Sequence, residues 1–518
     1  MESIVELKRV CMQLSQRAIK KIPPQPGLVI PNEKLFSLPE KVLQFGTGVL
    51  LRGLPDYFID KANRNGEFNG RIVVVKSTSQ GSADAFDQQD GLYTLYVKGI
   101  ENGNTKEEAI INSSISRVLS AKEQWGEILT CARNPEIKVI ISNTTEVGIV
   151  LTDDDVRSSP PKSFPGKLLA FLYERYKAFY GREDSGMVII PTELIINNGT
   201  KLRSIVIELA HKNKLEDAFI QWLQDANHFC NSLVDRIVPG KLPDAEREAA
   251  EERFGYKDEL MIMAETFRLW AIESDSERVR EILSFSNTDE GVVIVPDIEK
   301  FRELKLRLLN GTHSFACGLA FLAGFETVKE AMKNGEFSSW LRQLMLSEIA
   351  TALDNETISY NEACAFANQV ADRFRNPFLD HKWISISMNY TSKMKLRNVP
   401  LLLRLYSKSG KVPDNMALGF AAYLLFMKCK PGADGKYYGD VNGKNYLIQD
   451  EATSYFADKW ETGNIDNFVN RVLSDNNLWD ADLSTLDGFG ERVKEEMELL
   501  IQQGALATLA NKQLKTVD

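Results

Sequence analysis

Two hydrophobic rhythms alternate along the chain as far as Pro296. One is a short, nearly continuous apolar run, as in KVLQFG, RIVVVK, LYTLYVKGI, IKVIISN and GMVIIPTELI, with TFRLWAIES and GVVIVPD closing the series. The other spreads its apolar residues at helical spacing, as in VLLRGLPDYFIDKANRNG and KLLAFLYERYKAFY. Apolar runs that do not alternate predict strands buried on both faces, and the helical stretches between them predict the layers that cover those faces. The opening is clearest. KVLQFG ends in the breaker GTG, a helix-spaced stretch leads to an Asn-Gly, and GRIVVVKS starts the next strand, which is a βαβ unit.

After Pro296 the rhythm changes. Nearly everything to Asp518 reads as helix, for example FETVKEAMKNGEFSSWLRQLMLSEIATALD and NEACAFANQVADRFRNP. One Gly-rich interruption, CKPGADGKYYGDVNGKNYLIQD, reads as a loop or hairpin. The pattern therefore predicts an α/β domain with a mostly parallel sheet over residues 1–297, followed by a largely α-helical domain over 298–518.

Composition narrows the function. Against 62 basic residues stand 72 acidic ones, a net charge of −10, which excludes nucleic-acid binding through a broad basic surface. A small anion would still need only a local cluster of cations. The six cysteines (Cys11, Cys131, Cys230, Cys317, Cys364 and Cys429) are scattered and form no CxxC, so no metal site is expected and reduced cytoplasmic thiols are. The N-terminal stretch lacks a secretory apolar core, and the longest apolar run, MALGFAAYLLFM, is too short for a bilayer and predicts a buried helix.

Two constellations carry candidate chemistry. In FGTGVLLRG, Gly46 and Gly48 lie between a strand and a helix, where glycines let a dinucleotide's pyrophosphate approach the backbone. Leu51 stands where a third fingerprint glycine belongs, so an ordinary βα turn also fits. After the second strand, Lys76 occupies the region of a ribose-binding acid, which leaves NAD and NADP open on the motif alone. The second constellation is KLRLLNGTHS. On an α-helix Asn310 falls about 140° and His313 about 80° from Lys305, so the three share one broad side. A lysine can exchange a proton with a carbonyl oxygen, an asparagine amide can polarise it, and a histidine can hold a neighbouring hydroxyl. A plain helix with a snorkelling lysine is the alternative. PTELIINNG adds Asn198 at the end of a buried strand, a place where ligands bind in open α/β sheets.

Together these residues resemble the polyol-specific long-chain dehydrogenases, the mannitol dehydrogenase family. Its K-x-x-x-x-N-x-x-H signature is met by Lys305, Asn310 and His313, and FGTGVLLRG, DGLYT, SNTTEVGI, PTELIINNG, LVDRIVPG and RFRNPF look like family blocks in family order. The resemblance implies a Rossmann-type first domain and metal-independent, nicotinamide-dependent hydride transfer, with NAD as cofactor. It implies that Lys305 is the general acid/base, that Asn310 and Asn198 polarise the carbonyl, and that His313 orients the substrate. Phe45, Gly46, Thr47, Gly48, Lys76, Thr144, Thr145 and Glu146 are the implied cofactor contacts, and Asp235 belongs to the substrate side. Blocks such as FIQWLQDANHFCNSLVDRIVPG point, within the family, to reduction of D-tagaturonate to D-altronate by a monomer acting on a small sugar acid. Fructuronate reduction, mannitol-type oxidation and a non-catalytic nucleotide-binding protein are the rivals. A uronate also needs a cation for its carboxylate. Lys393 and Arg397, i and i+4 on a predicted helix that Pro400 should end, are the candidates, with Lys395 turned away.

Overall fold

The computed structural model describes residues 12–77, 83–144, 148–461 and 464–514. They form two compact units, one of residues 1–99 with 105–298 and one of residues 100–104 with 299–518.

The first unit is built on six parallel strands. In chain order they are Glu40–Phe45, Arg71–Lys76, Ile115–Ser120, Val139–Ser142, Val188–Pro191 and His228–Phe229. Taken across the sheet, the third, second and first are followed by the fourth, fifth and sixth. That is the doubly wound dinucleotide-binding order, with its switch point between the first and fourth strands. The continuous apolar runs follow from burial on both faces. Leu43, Phe45, Val73, Val75, Ile140 and Ile189 pack into one core, while the alternate residues Val42, Ile72, Val74, Val139, Ile141 and Ile190 pack into another.

Three expectations needed correction, and one strand had no apolar run to mark it. Ile115–Ser120 was not visible as a strand, because at the sheet edge it alternates buried and half-buried residues and carries Arg117 outward. The runs TFRLWAIES and GVVIVPD do form strands, Leu269–Glu273 and Val292–Val295, but in a separate sheet with antiparallel Ser232–Asp235. LYTLYVKGI likewise joins a four-stranded sheet of its own. The helix after the glycine turn is also not continuous. It breaks at Leu54, whose φ and ψ of −134° and −76° lie outside the helical region, and restarts at Pro55. A residue before proline is pushed out of the α region, and proline suits the first position of the new helix.

The second unit is helical, apart from a small antiparallel sheet of Cys429–Pro431, Tyr437–Val441 and Lys444–Leu447. Its centre is helix Asp414–Phe426, the apolar run read from the sequence, with Met416, Leu418, Ala422, Tyr423 and Phe426 fully buried. Among the described residues no helix is long and apolar enough to cross a membrane. The central helix crosses Thr312–Leu322 closely because both carry glycine at the contact. A Cβ on Gly318 would lie 2.7 Å from Ala422 O, and one on Gly419 would lie 2.9 Å from Phe315 O.

Pro413 precedes the central helix and has no side-chain oxygen with which to cap it. Glu348 does so instead. Its Oε1 accepts from Asn415 N and Nδ2, both at 2.8 Å, and its Oε2 from Met416 N at 2.7 Å. Burial pushes its carboxyl up from 4.5 to about 7, against the pull of those donors and of Lys512. A raised carboxyl holds its proton more tightly in the folded chain. Its contribution to stability is therefore full below the unfolded value and lost as pH rises through the folded one. Glu348→Gln cannot titrate, so between about pH 5 and about pH 8 it should lose less stability than the parent protein. Thermal unfolding midpoints at the two pH values test this, and equal losses would refute it.

Candidate active site

In the first unit the candidate residues gather at the carboxyl ends of the central strands. Phe45 ends the first strand, and its ring is buried against Phe164 at 5.1 Å, so only its main chain can face a ligand. Gly46 follows with φ +128°, a conformation L side chains rarely adopt. A Cβ there would stand 2.9 Å from Leu51 Cδ1 and 3.1 Å from Asn143 O. Gly48 differs, since a Cβ on it would meet nothing within 4 Å. The first glycine is thus required by the turn itself. The second keeps space open above the turn, as a dinucleotide's pyrophosphate requires. The absent third glycine is explained too, because Leu51 is fully buried and closes the turn from beneath.

Thr47 is half-buried in this turn, and Lys76 ends the neighbouring strand opposite Ser120, largely buried. Thr144 lies just past the fourth strand, with its N and Oγ1 both donating to Glu193 Oε1. Thr145 and Glu146 lie outside the described residues. Asp235 ends the strand Ser232–Asp235 and is buried. Its neighbour Arg236 donates to Glu265 O and Gly53 O and lies over the Tyr57 ring, a structural role.

Asn198 has a different occupation from the one expected. It is fully buried, and its Nδ2 donates to Pro191 O, Glu193 O and Ser232 O at 3.0–3.1 Å. Its Oδ1 accepts from Gly199 N and Ser232 N at 2.9 Å. Both amide hydrogens are committed to main-chain carbonyls, so Asn198 ties strand ends together instead of offering a donor to a substrate. The Asn-Gly that marks a turn in sequence is here a buried bracket. Gly199 is needed because a Cβ would lie 2.4 Å from Cys230 O.

In the second unit, Lys305–Gly311 is not α-helical but a π-helical segment between helices Glu299–Leu304 and Thr312–Leu322. In such a segment each N–H bonds five residues back, so residues five apart stack more nearly than they do on an α-helix. Lys305 and Asn310 are five apart. The widened turn therefore brings together two side chains that α-helical spacing leaves far around the cylinder. Both are half-buried. Ser314 Oγ donates to Asn310 O at 3.0 Å and Arg397 Nη1 approaches it at 3.5 Å, contacts at the main chain that leave the amide available.

His313 is 9% exposed, stacked on Phe374 with centroids 4.2 Å apart, and flanked edge-on by His381 at 5.2 Å. Its Nε2 is buried with no hydrogen-bond partner among the described residues. Burial, then the nearby His381, Arg373, Arg397 and Lys393, holds its pKa well below the usual histidine value. That shift favours the uncharged imidazole. Lys393 is lowered by burial and by Arg397, and Arg397 by burial. The group is a concentration of positive charge around a neutral imidazole.

Opposite lies a second π-helical segment, Met394–Asn398, which carries Arg397. Pro400 was expected to end this helix, but it runs on as Val399–Ser409. A proline within a helix leaves the carbonyl four residues back without its donor. That carbonyl is Leu396 O, and Arg307 Nη1 donates to it at 2.7 Å and to Arg397 O at 2.8 Å. Asn398 Nδ2 donates in turn to Gly311 O at 2.9 Å. Arg307 and Asn398 were not singled out from sequence, although Pro400 inside a helix-spaced stretch was a signal that some donor had to substitute for its missing N–H. Lys395 does point away, paired with Asp480 at 2.8 Å. Lys393 Nζ donates to Ile386 O at 2.8 Å.

Comparison with known proteins agrees with this fold. Residues 40–283 match the model of the mannitol dehydrogenase Rossmann domain, and residues 297–501 match that of the mannitol dehydrogenase C-terminal domain. An altronate oxidoreductase of Bacillus subtilis is 39% identical over 460 residues, covering 88% of this chain and 91% of its own. One of Pectobacterium carotovorum is 35% identical over 480 residues, covering 91% and 96%. Among solved structures, D-sorbitol dehydrogenase in substrate-free form is similar with a TM-score of 0.76 at 18% identity, covering 96% of this chain and 100% of that one. Pseudomonas fluorescens mannitol 2-dehydrogenase, in a ternary complex with NAD and D-mannitol, is similar with a TM-score of 0.64 at 22% identity, covering 97% and 100%.

The two glycines should behave differently on substitution. Gly46→Ala, strained by φ and by two close contacts, should lose about 1–3 kcal/mol of stability, while Gly48→Ala should unfold close to the parent protein. Denaturant titration of both variants decides the point, and equal stabilities would contradict the assignment of Gly46 to the turn.

Proposed function

The chain belongs to the mannitol dehydrogenase family, and on that premise we propose that it reduces D-tagaturonate to D-altronate with NADH, as a cytoplasmic monomer. The similarity to altronate oxidoreductases over nine-tenths of the chain supports the substrate, and the open backbone at Gly48 beside the sheet's switch point supports a dinucleotide. The observation that carries the uronate reading is the cationic group of Arg373, Lys393 and Arg397 around His313. Cations in such a group can take a carboxylate through charge-assisted hydrogen bonds, and a uronate brings one where a neutral ketose does not.

When bound, NADH supplies the hydride that goes to the ketone carbon. The Phe45–Gly48 turn and Thr144 would hold the cofactor, with Lys76 on the ribose side, and Thr145 and Glu146 are assigned to the same task. Lys305 gives its proton to the ketone oxygen as the charge develops there, and takes it back in the reverse direction. Asn310 donates an amide hydrogen to the same oxygen, a role that falls to it alone because Asn198 is fully engaged elsewhere. The neutral His313 turns its unpartnered Nε2 to a substrate hydroxyl, and Asp235 serves the substrate side. Arg397, aided by Lys393, binds the carboxylate.

NADH oxidation with tagaturonate, fructuronate and fructose side by side tests the reading, and turnover of none of them would leave a non-catalytic nucleotide-binding protein. Lys305→Ala should lower turnover by about two to four orders of magnitude while NADH still binds. Near-normal turnover would remove Lys305 from the mechanism.

A second measurement addresses the carboxylate. A charge-assisted hydrogen bond is worth about 1.5–3 kcal/mol, so Arg397→Gln should raise KM for tagaturonate about tenfold or more. It should also shrink the preference for tagaturonate over fructose. Unchanged selectivity in both Arg397→Gln and Lys393→Gln would place the carboxylate elsewhere.

A further inference from the structure

The carboxyl ends of the parallel strands Val139–Ser142 and Val188–Pro191 run into loops that side chains tie together. Asn143 Nδ2 donates to Thr192 O and Thr192 Oγ1, both at 3.0 Å, and Thr192 Oγ1 donates to Ser142 O at 2.8 Å. Glu193 sits at the centre, 3% exposed and without a part in the chemistry above. Its Oε1 accepts from Thr144 N at 2.8 Å and Thr144 Oγ1 at 3.0 Å, and its Oε2 accepts from Ser142 Oγ at 3.2 Å. Burial pushes its carboxyl up, while the bonds from Thr144 and Ser142 pull it down. Burying a carboxyl group costs free energy, and the main-chain ladder already pairs these strands from Val139 to Ser142. The two strands do not need Glu193 to find each other.

What Glu193 adds lies one strand further on. The segment it grips contains Asn143, whose N donates to Phe45 O at 3.2 Å and whose O lies 3.1 Å from the place a Gly46 Cβ would take. The glycine turn therefore rests on the residue between the two that Glu193 holds. On the same side, Glu193 O accepts from Asn198 Nδ2, so the clamp is itself anchored to the buried bracket at the start of the next helix.

We propose that Glu193 is a positioning residue for the cofactor. Its side chain fixes the Ser142–Thr144 segment, and that segment sets the height of the Phe45–Gly48 turn on which the dinucleotide rests. It acts through Thr144 and Asn143 and touches neither substrate nor reacting atoms. The inference rests on the NAD reading above, which binding of NADH to the parent protein tests separately. A glutamine can keep the contacts, because its amide oxygen can accept both Thr144 donors and its amide nitrogen can donate to Ser142 Oγ. An alanine cannot.

The experiment measures NADH affinity by fluorescence, the unfolding midpoint, and KM for tagaturonate at saturating NADH. Glu193→Ala should weaken NADH binding about tenfold or more, the scale of losing two or more buried hydrogen bonds, with KM for tagaturonate little changed. Glu193→Gln should return the affinity to within about threefold of the parent. Parent-like NADH affinity in Glu193→Ala, or a Glu193→Gln variant as weak as Glu193→Ala, overturns the proposal. If Glu193→Ala does not fold, Ser142→Ala removes only the Oε2 contact and should weaken NADH binding a few-fold. Unchanged affinity in that variant overturns the proposal as well.

Discussion

The geometry of the second unit depends on one substitution of donors. Pro400 lies inside a helix and cannot bond to Leu396 O, and Arg307 from a different helix does so in its place. The same guanidinium reaches Arg397 O, and Asn398 returns a bond to Gly311 O. The two helices are thus joined at the point where each is widened into a π-helical segment. Lys305 and Asn310 are on one side of that junction and Arg397 is on the other. Arg307 is buried, and Glu303 on its own helix face balances its charge while the guanidinium meets the two carbonyls.

The first unit solves a different problem. A parallel sheet diverges at its switch point, and the residues past the strand ends have lost the main-chain ladder that held them. Side chains take over there. Asn143, Thr192, Glu193 and Asn198 hold successive strand ends by bonding to carbonyls, amides and hydroxyls, so that the Gly46 turn sits on a fixed floor. Thr192, Glu193 and Asn198 of PTELIINNG are therefore internal, buried among the strand ends they hold.

Much of this was legible in the sequence. Runs such as RIVVVK could only be strands buried on both faces, and MALGFAAYLLFM could only be a core helix. Gly46 stands where the sequence put it, between a strand and a helix, and its φ of +128° shows why a glycine is needed there. The edge strand Ile115–Ser120 was hidden because one buried face leaves too few apolar residues to form a run. Asn198 was misread because sequence shows an asparagine's donors and not what they are bonded to. Lys305 and Asn310 were judged on α-helical spacing, which placed them farther apart than the π-helical segment does. No local propensity announces a π-helical segment, and the carbonyls that Arg307 meets lie about ninety positions further along the chain.

The paired π-helical segments also bear on how such a chain can change over generations. A helix tolerates a one-residue insertion or deletion when its neighbours can slide to meet the new register. Here the register of each helix is read by the other, through Arg307 on one side and Asn398 on the other. Losing a residue between Lys305 and Asn310 would rotate everything after it, including the contact of Gly318 with Ala422 in the unit's core. Length changes should therefore collect in segments outside this lock, such as the sheet of Cys429–Leu447, whose Asn442–Gly443 turn has open space at its glycine. The stretch from Lys305 to Ser314 should drift in residue type but keep its count.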